Sequence, residues 1–218
     1  MVIFDRLSAI SRRRKVELFF KMMRPSATDK VLDVGGETDS SSSLKNACQL
    51  IDIFPYKQNI SVVNLSSAHI EVIAEKYPEI EARVGDACSL PWPDKSFDIV
   101  YSNAVIEHVG DFGDQKKMAS EVMRVGRKWF VTTPNRWYPF EFHMRLPFVT
   151  WLPFHGYLRA GQIVSYNHVK QKYACGLKPD HLRLMTANEL GMCFPGSRII
   201  KQRVTFMPET LIAVGEAG

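Results

Sequence analysis

Apolar runs alternate with helix-like patterns along most of the chain. In the first part of the chain, five apolar runs predict β-strands: 30–34, 60–65, 81–84, 97–102 and 128–133. Apolar residues at helical spacing predict helices between them, at about 42–53, 69–76 and 115–125. This alternation is typical of right-handed crossovers, which build a parallel sheet with helices on both faces. We therefore predict a doubly wound α/β fold.

The C-terminal end departs from this alternation. Two strand-like runs, 198–206 and 210–214, are joined through Met207-Pro208-Glu209. That link is too short for a helical crossover, so we expect the two strands to pair antiparallel. The predicted architecture is a Rossmann-like seven-stranded sheet with a reversed C-terminal hairpin, which differs from the usual six-stranded dinucleotide-binding fold.

One domain is predicted over residues 1–218, with two additions to the sheet. Residues 1–25 include an N-terminal helix that packs against the sheet or covers a pocket; its apolar face is predicted to contain Ile10, Val16, Phe19, Phe20 and Met23. Residues 135–180 have no place in a minimal sheet. Because they follow the strand at 128–133, we expect them to cap the carboxyl edge of the sheet.

The charge and cysteine content mainly exclude classes of partner and site. The net charge of +5 comes largely from 12–15 and 201–203, which are not interleaved with aromatic residues. We interpret both groups as solvated faces and expect no nucleic-acid partner. No apolar run approaches the roughly 20 residues of a transmembrane helix, and no secretory signal is recognised, so a cytoplasmic location is expected. Four cysteines without a CxxC spacing predict buried free thiols and no metal site.

The loop after the first strand indicates the kind of ligand. Gly35 and Gly36 follow the apolar run and let the backbone approach a ligand closely. Glu37 and Asp39 come next, where a dinucleotide site would continue its glycine pattern. These carboxylates would repel a pyrophosphate, whereas they suit a ligand with a cationic centre and an ammonium group, such as S-adenosylmethionine.

The stretch at 84–110, VGDACSLPWPDKSFDIVYSNAVIEHVG, resembles the central region of class I S-adenosylmethionine-dependent methyltransferases. The segments VLDVGG, SVVNLSSAHIEVIAEKYP and KWFVTTPN extend the resemblance over most of the chain. Within the superfamily, the chain is most similar to a bacterial, methyltransferase type 11-like subgroup with SNxVIEHV and TPNRxxPxExH motifs. This resemblance implies S-adenosylmethionine as cofactor, S-adenosylhomocysteine as product, and no metal.

The resemblance also implies a set of cofactor-binding residues. Asp33, Gly35 and Gly36 would line the methionine end, and Asn64 and Leu65 would lie at the ribose. Asp86, Ala87 and Cys88 would contact the adenine, and Asn103 and Ala104 would lie beside the sulfonium. Two departures stand out. Glu37 replaces a glycine, and Asn64 replaces the acid that usually binds the ribose hydroxyls, for which Asp52 is a second candidate.

For catalysis, we expect Glu107 and His108 to open the helix after the fourth strand, close to the transferable methyl group. His108 is the preferred general base because histidine titrates near neutral pH. The alternative is that His108 only donates a hydrogen bond to the backbone or cofactor. His143, next to Glu141 in the cap, is a further candidate base.

The cap is predicted to bind the acceptor, because it is rich in aromatic residues and follows the fifth strand. The substrate-binding candidates are Arg136, Trp137, Glu141 and His143. A small satellite core, a dimer contact and peripheral contact with a membrane are the alternatives, and both a monomer and a homodimer stay open.

The predicted activity is methyl transfer to an oxygen or nitrogen of a small-molecule or glycan acceptor. The alternatives are a non-catalytic S-adenosylmethionine-binding module and a nicotinamide-dependent oxidoreductase, although the missing GxGxxG loop disfavours the oxidoreductase.

Overall fold

The computed structural model describes residues 2–38, 48–141, 144–167, 172–174 and 182–217. Its strands are β1 (Val31–Val34), β2 (Ile60–Asn64), β3 (Glu81–Val84), β4 (Phe97–Asn103), β5 (Gly126–Pro134), β6 (Phe140–Glu141), β7 (Leu146–Pro147), β8 (Ser165–Asn167), β9 (Lys172–Ala174), β10 (Arg198–Arg203) and β11 (Pro208–Glu216). The α-helices are α1 (Val2–Met23), α2 (Leu50–Ile53), α3 (Ser67–Lys76), α4 (Phe112–Val125), α5 (Phe154–Ile163) and α6 (Ala187–Cys193).

Within these residues, a seven-stranded sheet has the order β10-β11-β5-β4-β1-β2-β3. The strands from β1 to β5 pair in parallel, and β11 pairs antiparallel with both β5 and β10. The Rossmann-like α/β fold and the reversed C-terminal hairpin are therefore confirmed. Strand order reverses between β1 and β4, where open α/β sheets bind their ligands beyond the carboxyl ends of the strands.

Helices cover both faces of the sheet, which explains its continuous apolar strands. All four residues of β1 are buried, as expected for a parallel strand with no solvent-exposed face. Leu32 and Val34 join the core cluster on the side of α4 and α6, whereas Val31 joins the cluster on the other side, with α1 and α3. Side chains that alternate along a strand thus supply both cores.

Helix α1 is integrated into the second core. Phe19 is fully buried, and its ring meets those of Tyr101 on β4 and Phe130 on β5 at centroid distances of 5.0 and 5.7 Å. The predicted apolar face was wrong at Ile10, which is 43% exposed. The buried stripe runs instead through Ser11, Lys15, Phe19 and Met23, at every fourth residue. Lys15 is thus buried, which corrects the interpretation of 12–15 as a solvated face.

One predicted helix lies partly outside the described residues, and another begins later than expected. The helix expected at about 42–53 appears among the described residues only as α2, and 39–47 lie outside them. Glu107 and His108 do not open α4 but lie in a 3-10 helix, Ile106–His108. Helix α4 begins later because the Asp111 side chain caps it, accepting hydrogen bonds from the backbone N–H groups of Gly113 and Asp114.

The described residues of the predicted cap form no strand of the seven-stranded sheet. Its described residues form the antiparallel pair β6 and β7, helix α5, and a second pair, β8 and β9. Met144 and Val149 are buried together in a small apolar cluster of their own. Among the described residues, no helix combines the length and apolar character needed to cross a membrane.

Candidate functional site

A cavity of about 720 Å³ lies at the carboxyl ends of the parallel strands. It is lined by most of the residues predicted to bind the cofactor, together with His108: Gly35, Asn64, Leu65, Asp86, Ala87, Asn103 and Ala104. These residues follow β1, β2, β3 and β4, so the parallel topology brings them to one edge of the sheet. Asp33, Gly36 and Cys88 do not line the cavity.

The turn after β1 depends on its glycines. Gly35 has φ +80°, and a Cβ atom there would lie 2.3 Å from Cγ2 of Val105. A Cβ atom on Gly36 would lie 2.9 Å from the carboxylate of Asp33. Larger residues at either position would therefore force this wall of the cavity to move.

Asp33 lies behind the turn. Its side chain is buried, and burial, reinforced by the charge of Glu37, raises the pKa of Asp33 to about 8. The carboxyl group is therefore largely protonated at neutral pH and brings little negative charge to the site.

Asn64, at the end of β2, replaces the acidic residue that usually binds the ribose hydroxyls. The Asn64 side-chain nitrogen donates a hydrogen bond to the carbonyl oxygen of Gly36 (3.0 Å), and its side-chain oxygen accepts one from the backbone N–H of Ser66 (2.9 Å). That oxygen retains a second lone pair. Glu37 lines the cavity beside it and lies 3.4 Å from Nδ1 of His69. Burial raises the pKa of Glu37, while the nearby His69 opposes that shift.

Asp86 forms a local turn and also lines the cavity. Its Oδ1 atom accepts a hydrogen bond from the backbone N–H of Cys88 at 2.8 Å, which makes an Asx turn. The residue also lines the cavity. A carboxylate can do both, because each oxygen has more than one acceptor position.

If Asp86 accepts the adenine amino group, as the resemblance implies, replacing it with alanine is expected to weaken S-adenosylhomocysteine binding by about tenfold, because that group loses its acceptor. Calorimetric titration measures this. Asp29→Ala is the matched control, since Asp29 also accepts a backbone N–H, from Ser26 at 2.7 Å, but does not line the cavity. Equal affinity in the two folded variants would place the adenine contact elsewhere.

The two predicted catalytic residues that follow β4, Glu107 and His108, lie in different environments. The side-chain oxygen of Asn103 accepts a hydrogen bond from Thr132 Oγ1 (2.8 Å), and Ala104 has φ +58°. His108 is exposed and lines the cavity. Glu107 is fully buried outside the cavity wall, where it accepts a hydrogen bond from Thr133 Oγ1 at 3.1 Å.

The cap contributes residues other than the predicted ones. Arg136, Trp137 and Glu141 do not line the cavity, and the Trp137 side chain is 51% exposed. His143 lies outside the described residues. The cap residues that line the cavity are Tyr138, Phe140 and Arg145.

The sequence interpretation allowed α1 to cover a pocket but did not name the residues of α1 that line the cavity, and it missed the wall formed by β11. Helix α1 contributes Ser11, Arg12 and Lys15, and the start of β11 contributes Glu209 and Thr210. The four-residue spacing of Ser11, Lys15 and Phe19 was an available signal that these polar residues share the buried face of α1. The contribution of β11 follows from tertiary structure, because Thr210 pairs with Pro134 at the end of β5.

Three of the four cysteines lie among the described residues. Cys48, Cys88 and Cys193 are free, and burial raises the pKa of the Cys88 and Cys193 thiols to about 11. Cys175 lies outside the described residues. Within the described ranges, no group of three or more histidine, cysteine or acidic residues could hold a metal ion.

Comparisons with known proteins agree with this geometry. A family described as a methyltransferase domain matches residues 40–129. A Mycolicibacterium smegmatis protein described as a probable S-adenosylmethionine-dependent methyltransferase is 34% identical over 74 residues, which are 34% of this chain and 29% of that protein. The Thermotoga maritima demethylmenaquinone methyltransferase is 27% identical over 189 residues, covering 82% of this chain and 75% of that enzyme.

Solved structures show the same fold. A Pyrococcus horikoshii protein matches with a TM-score of 0.60 at 16% identity, over 95% of this chain and 90% of its own. The CcbJ methyltransferase of Streptomyces caelestis matches with a TM-score of 0.59 at 14% identity, over 92% and 87% of the two chains. Part of the chain is thus similar in sequence to S-adenosylmethionine-dependent methyltransferases, and the chain shares the fold of a solved methyltransferase.

Proposed function

We propose that this protein transfers a methyl group from S-adenosylmethionine to an oxygen or nitrogen of a small-molecule or glycan acceptor. The observation that carries the proposal is the composition of the cavity. One half is lined by residues that follow β1, β2, β3 and β4, and the other half by the cap, α1 and β11. A single cavity can therefore hold a cofactor and an acceptor side by side.

The residues of the first half fit the cofactor. A volume of about 720 Å³ lies in the range of small-molecule sites. Glu37 and Asp86 offer acceptors for the ammonium, ribose or adenine amino groups, and Val34, Val63 and Ala87 provide apolar surface. The bound cofactor supplies an electrophilic methyl group on a sulfonium centre.

The chain itself has to align the acceptor and accept a proton. In-line displacement gains most of its rate from orientation, so the walls of the cavity contribute by holding the two reactants in place. His108 is the residue we propose to take the proton of a hydroxyl acceptor. Gly35 and Asn103 border the cavity on either side of the junction between β1 and β4 and would bound the methionine end of the cofactor.

Tyr138 and Phe140 support an acceptor with an apolar or sugar-ring face. Both line the cavity, and Tyr138 Oη lies within hydrogen-bond distance of Thr205 Oγ1, at 3.1 Å. Aromatic faces beside hydroxyl groups are typical of sites for sugars and other ring compounds. The cytoplasmic location and the bacterial origin stay predictions from the sequence. Both a monomer and a homodimer stay open.

Purified protein is expected to bind S-adenosylmethionine or S-adenosylhomocysteine at micromolar strength, about 8 kcal/mol, and to show little affinity for NAD. Calorimetric titration measures both, and a preference for NAD would contradict the proposal. Release of S-adenosylhomocysteine during a screen of sugars and ring compounds separates the enzyme from a non-catalytic binding module. Binding with no product across the screen would favour the module.

A further inference from the structure

The wall formed by α1 carries a buried lysine for which methyl transfer gives no role. Lys15 lines the cavity although only 8% of the residue is exposed. In the described part of the chain, no hydrogen bond or ion pair engages its ammonium group. Burying a charge without such a partner costs free energy. A ligand group of opposite charge would offset that cost.

The neighbouring carboxylates do not fill this role. Glu209 is already held by Ser11 Oγ (3.1 Å), by Gln202 Nε2 (3.2 Å) and by the backbone N–H of Val204 (2.8 Å). Glu107 lies outside the cavity wall, where its Oε2 accepts a hydrogen bond from Thr133 and its Oε1 is buried without a hydrogen-bond partner. Neither forms an ion pair with Lys15 among the described contacts.

Other cations reinforce the charge of Lys15. Arg12, almost one turn earlier on α1, lines the same cavity, and Arg145 lines it from the cap. The buried stripe of α1 is anchored nearby, because Gln202 also donates to the backbone carbonyl oxygen of Ser11 at 3.2 Å. Lys15 is thus fixed on a rigid helix rather than on a loop, which suits recognition of a defined group.

The topology puts this charge in the acceptor half of the cavity. The acidic neighbours of Lys15 are Glu107, which follows β4, and Glu209, which lies on β11. Strand β11 is separated from β1 by β5 and β4. At the usual strand spacing this is roughly 14 Å. The residues that fit the cofactor follow β1, β2 and β3, on the far side of that separation.

We propose that Lys15 and Arg12 form an oxyanion-binding site that holds a carboxylate or phosphate group of the methyl acceptor. The inference rests on the proposed function and narrows its substrate class to acidic acceptors, such as sugar acids, sugar phosphates or ring carboxylic acids. Charge-assisted hydrogen bonds from a lysine and an arginine are well suited to such groups.

The site has a defined pH dependence. Burial, followed by the charge of Arg12, lowers the pKa of Lys15 to about 8, and the charges of Glu107 and Glu209 oppose this shift. Lys15 is therefore protonated below about pH 8 and loses its charge above it. Acetate keeps one charge throughout this range, so its affinity is expected to fall as the pH rises through 8.

The test uses protein labelled with ¹³Cε-lysine, saturated with S-adenosylhomocysteine and titrated with inorganic phosphate or acetate at constant ionic strength. We expect the Lys15 resonance to shift saturably, and whichever anion binds more tightly identifies the acidic group. In Lys15→Met the affinity should drop by about tenfold or more, equivalent to 1.4 kcal/mol. Lys21→Met is the matched control, since Lys21 lies on the same helix but is exposed, and it should bind both anions like the wild type.

Each contrary result has a distinct meaning. If the wild type binds S-adenosylhomocysteine but its Lys15 resonance does not respond, the anion site is wrong. If Lys15→Met weakens S-adenosylhomocysteine and not 5′-methylthioadenosine, which lacks the carboxylate, then Lys15 serves the cofactor and the acceptor assignment is wrong. If the wild type binds no S-adenosylhomocysteine, the proposed function fails, and titration without cofactor still tests the anion site. Should Lys15→Met not fold, the wild-type titrations decide alone.

Discussion

Phe19→Ala is expected to lower the free energy of unfolding by about 3–5 kcal/mol, as for other fully buried phenylalanines. Phe19 is fully buried, and its ring contacts Tyr101 and Phe130, so truncation would leave a cavity between α1 and two central strands. Chemical denaturation followed by circular dichroism measures the change. The result tests whether α1 is part of the folded core rather than a detachable lid.

Phe206→Ala is the matched control, because Phe206 is 79% exposed. It removes the same atoms from the surface and should change stability by no more than about 0.5 kcal/mol. Similar small losses in the two variants would mean that α1 contributes little to the core. Its wall of the cavity, including Lys15, would then be free to move away.

His108→Ala is expected to reduce turnover by about 10²–10⁴-fold if His108 accepts the proton of the acceptor. The affinity for S-adenosylhomocysteine should stay within about threefold of the wild-type value, since the cofactor contacts lie mainly beyond β1, β2 and β3. The measurement combines steady-state kinetics, with an acceptor found in the screen, and calorimetry.

His108→Gln separates the two roles that the sequence left open. Glutamine can donate a hydrogen bond to the cofactor or backbone but cannot take up a proton at neutral pH. We expect it to be as slow as alanine. If His108→Gln keeps most of the wild-type rate, hydrogen bonding is the role of this residue, and the acceptor needs no base at this position.

The strands of the sheet could be predicted from the sequence because their signal is local. A buried parallel strand needs a short, continuous apolar run, and β1, β2 and β4 each have one. The hairpin was predictable for a similar reason, since the three residues between its runs exclude a crossover. The strand-end residues that line the cavity were implied by the resemblance to class I methyltransferases, and the topology brings them together because parallel strands end at one edge.

Predictions were less successful where a residue's environment comes from distant parts of the chain. The apolar face of α1 was misplaced at Ile10, since the packing of Phe19 against the sheet fixes which side is buried. Glu107 and His108 were adjacent in the predicted site, yet the 3-10 helix turns one inward and the other towards the cavity. The cap residues that line the cavity, Tyr138, Phe140 and Arg145, were likewise not among the predicted substrate-binding residues.

The sequence by itself determined the order of strands and helices and the glycine turn after β1, and its resemblance to a known family implied the strand-end residues that meet at one edge. Only the tertiary structure decided which polar residues reach the cavity from α1, the cap and β11. The physical reason is the separation along the chain: Ser11 and Glu209 are 198 residues apart, yet joined by a hydrogen bond of 3.1 Å. No local pattern encodes such a contact, because it forms only when two packed elements bury their polar groups together.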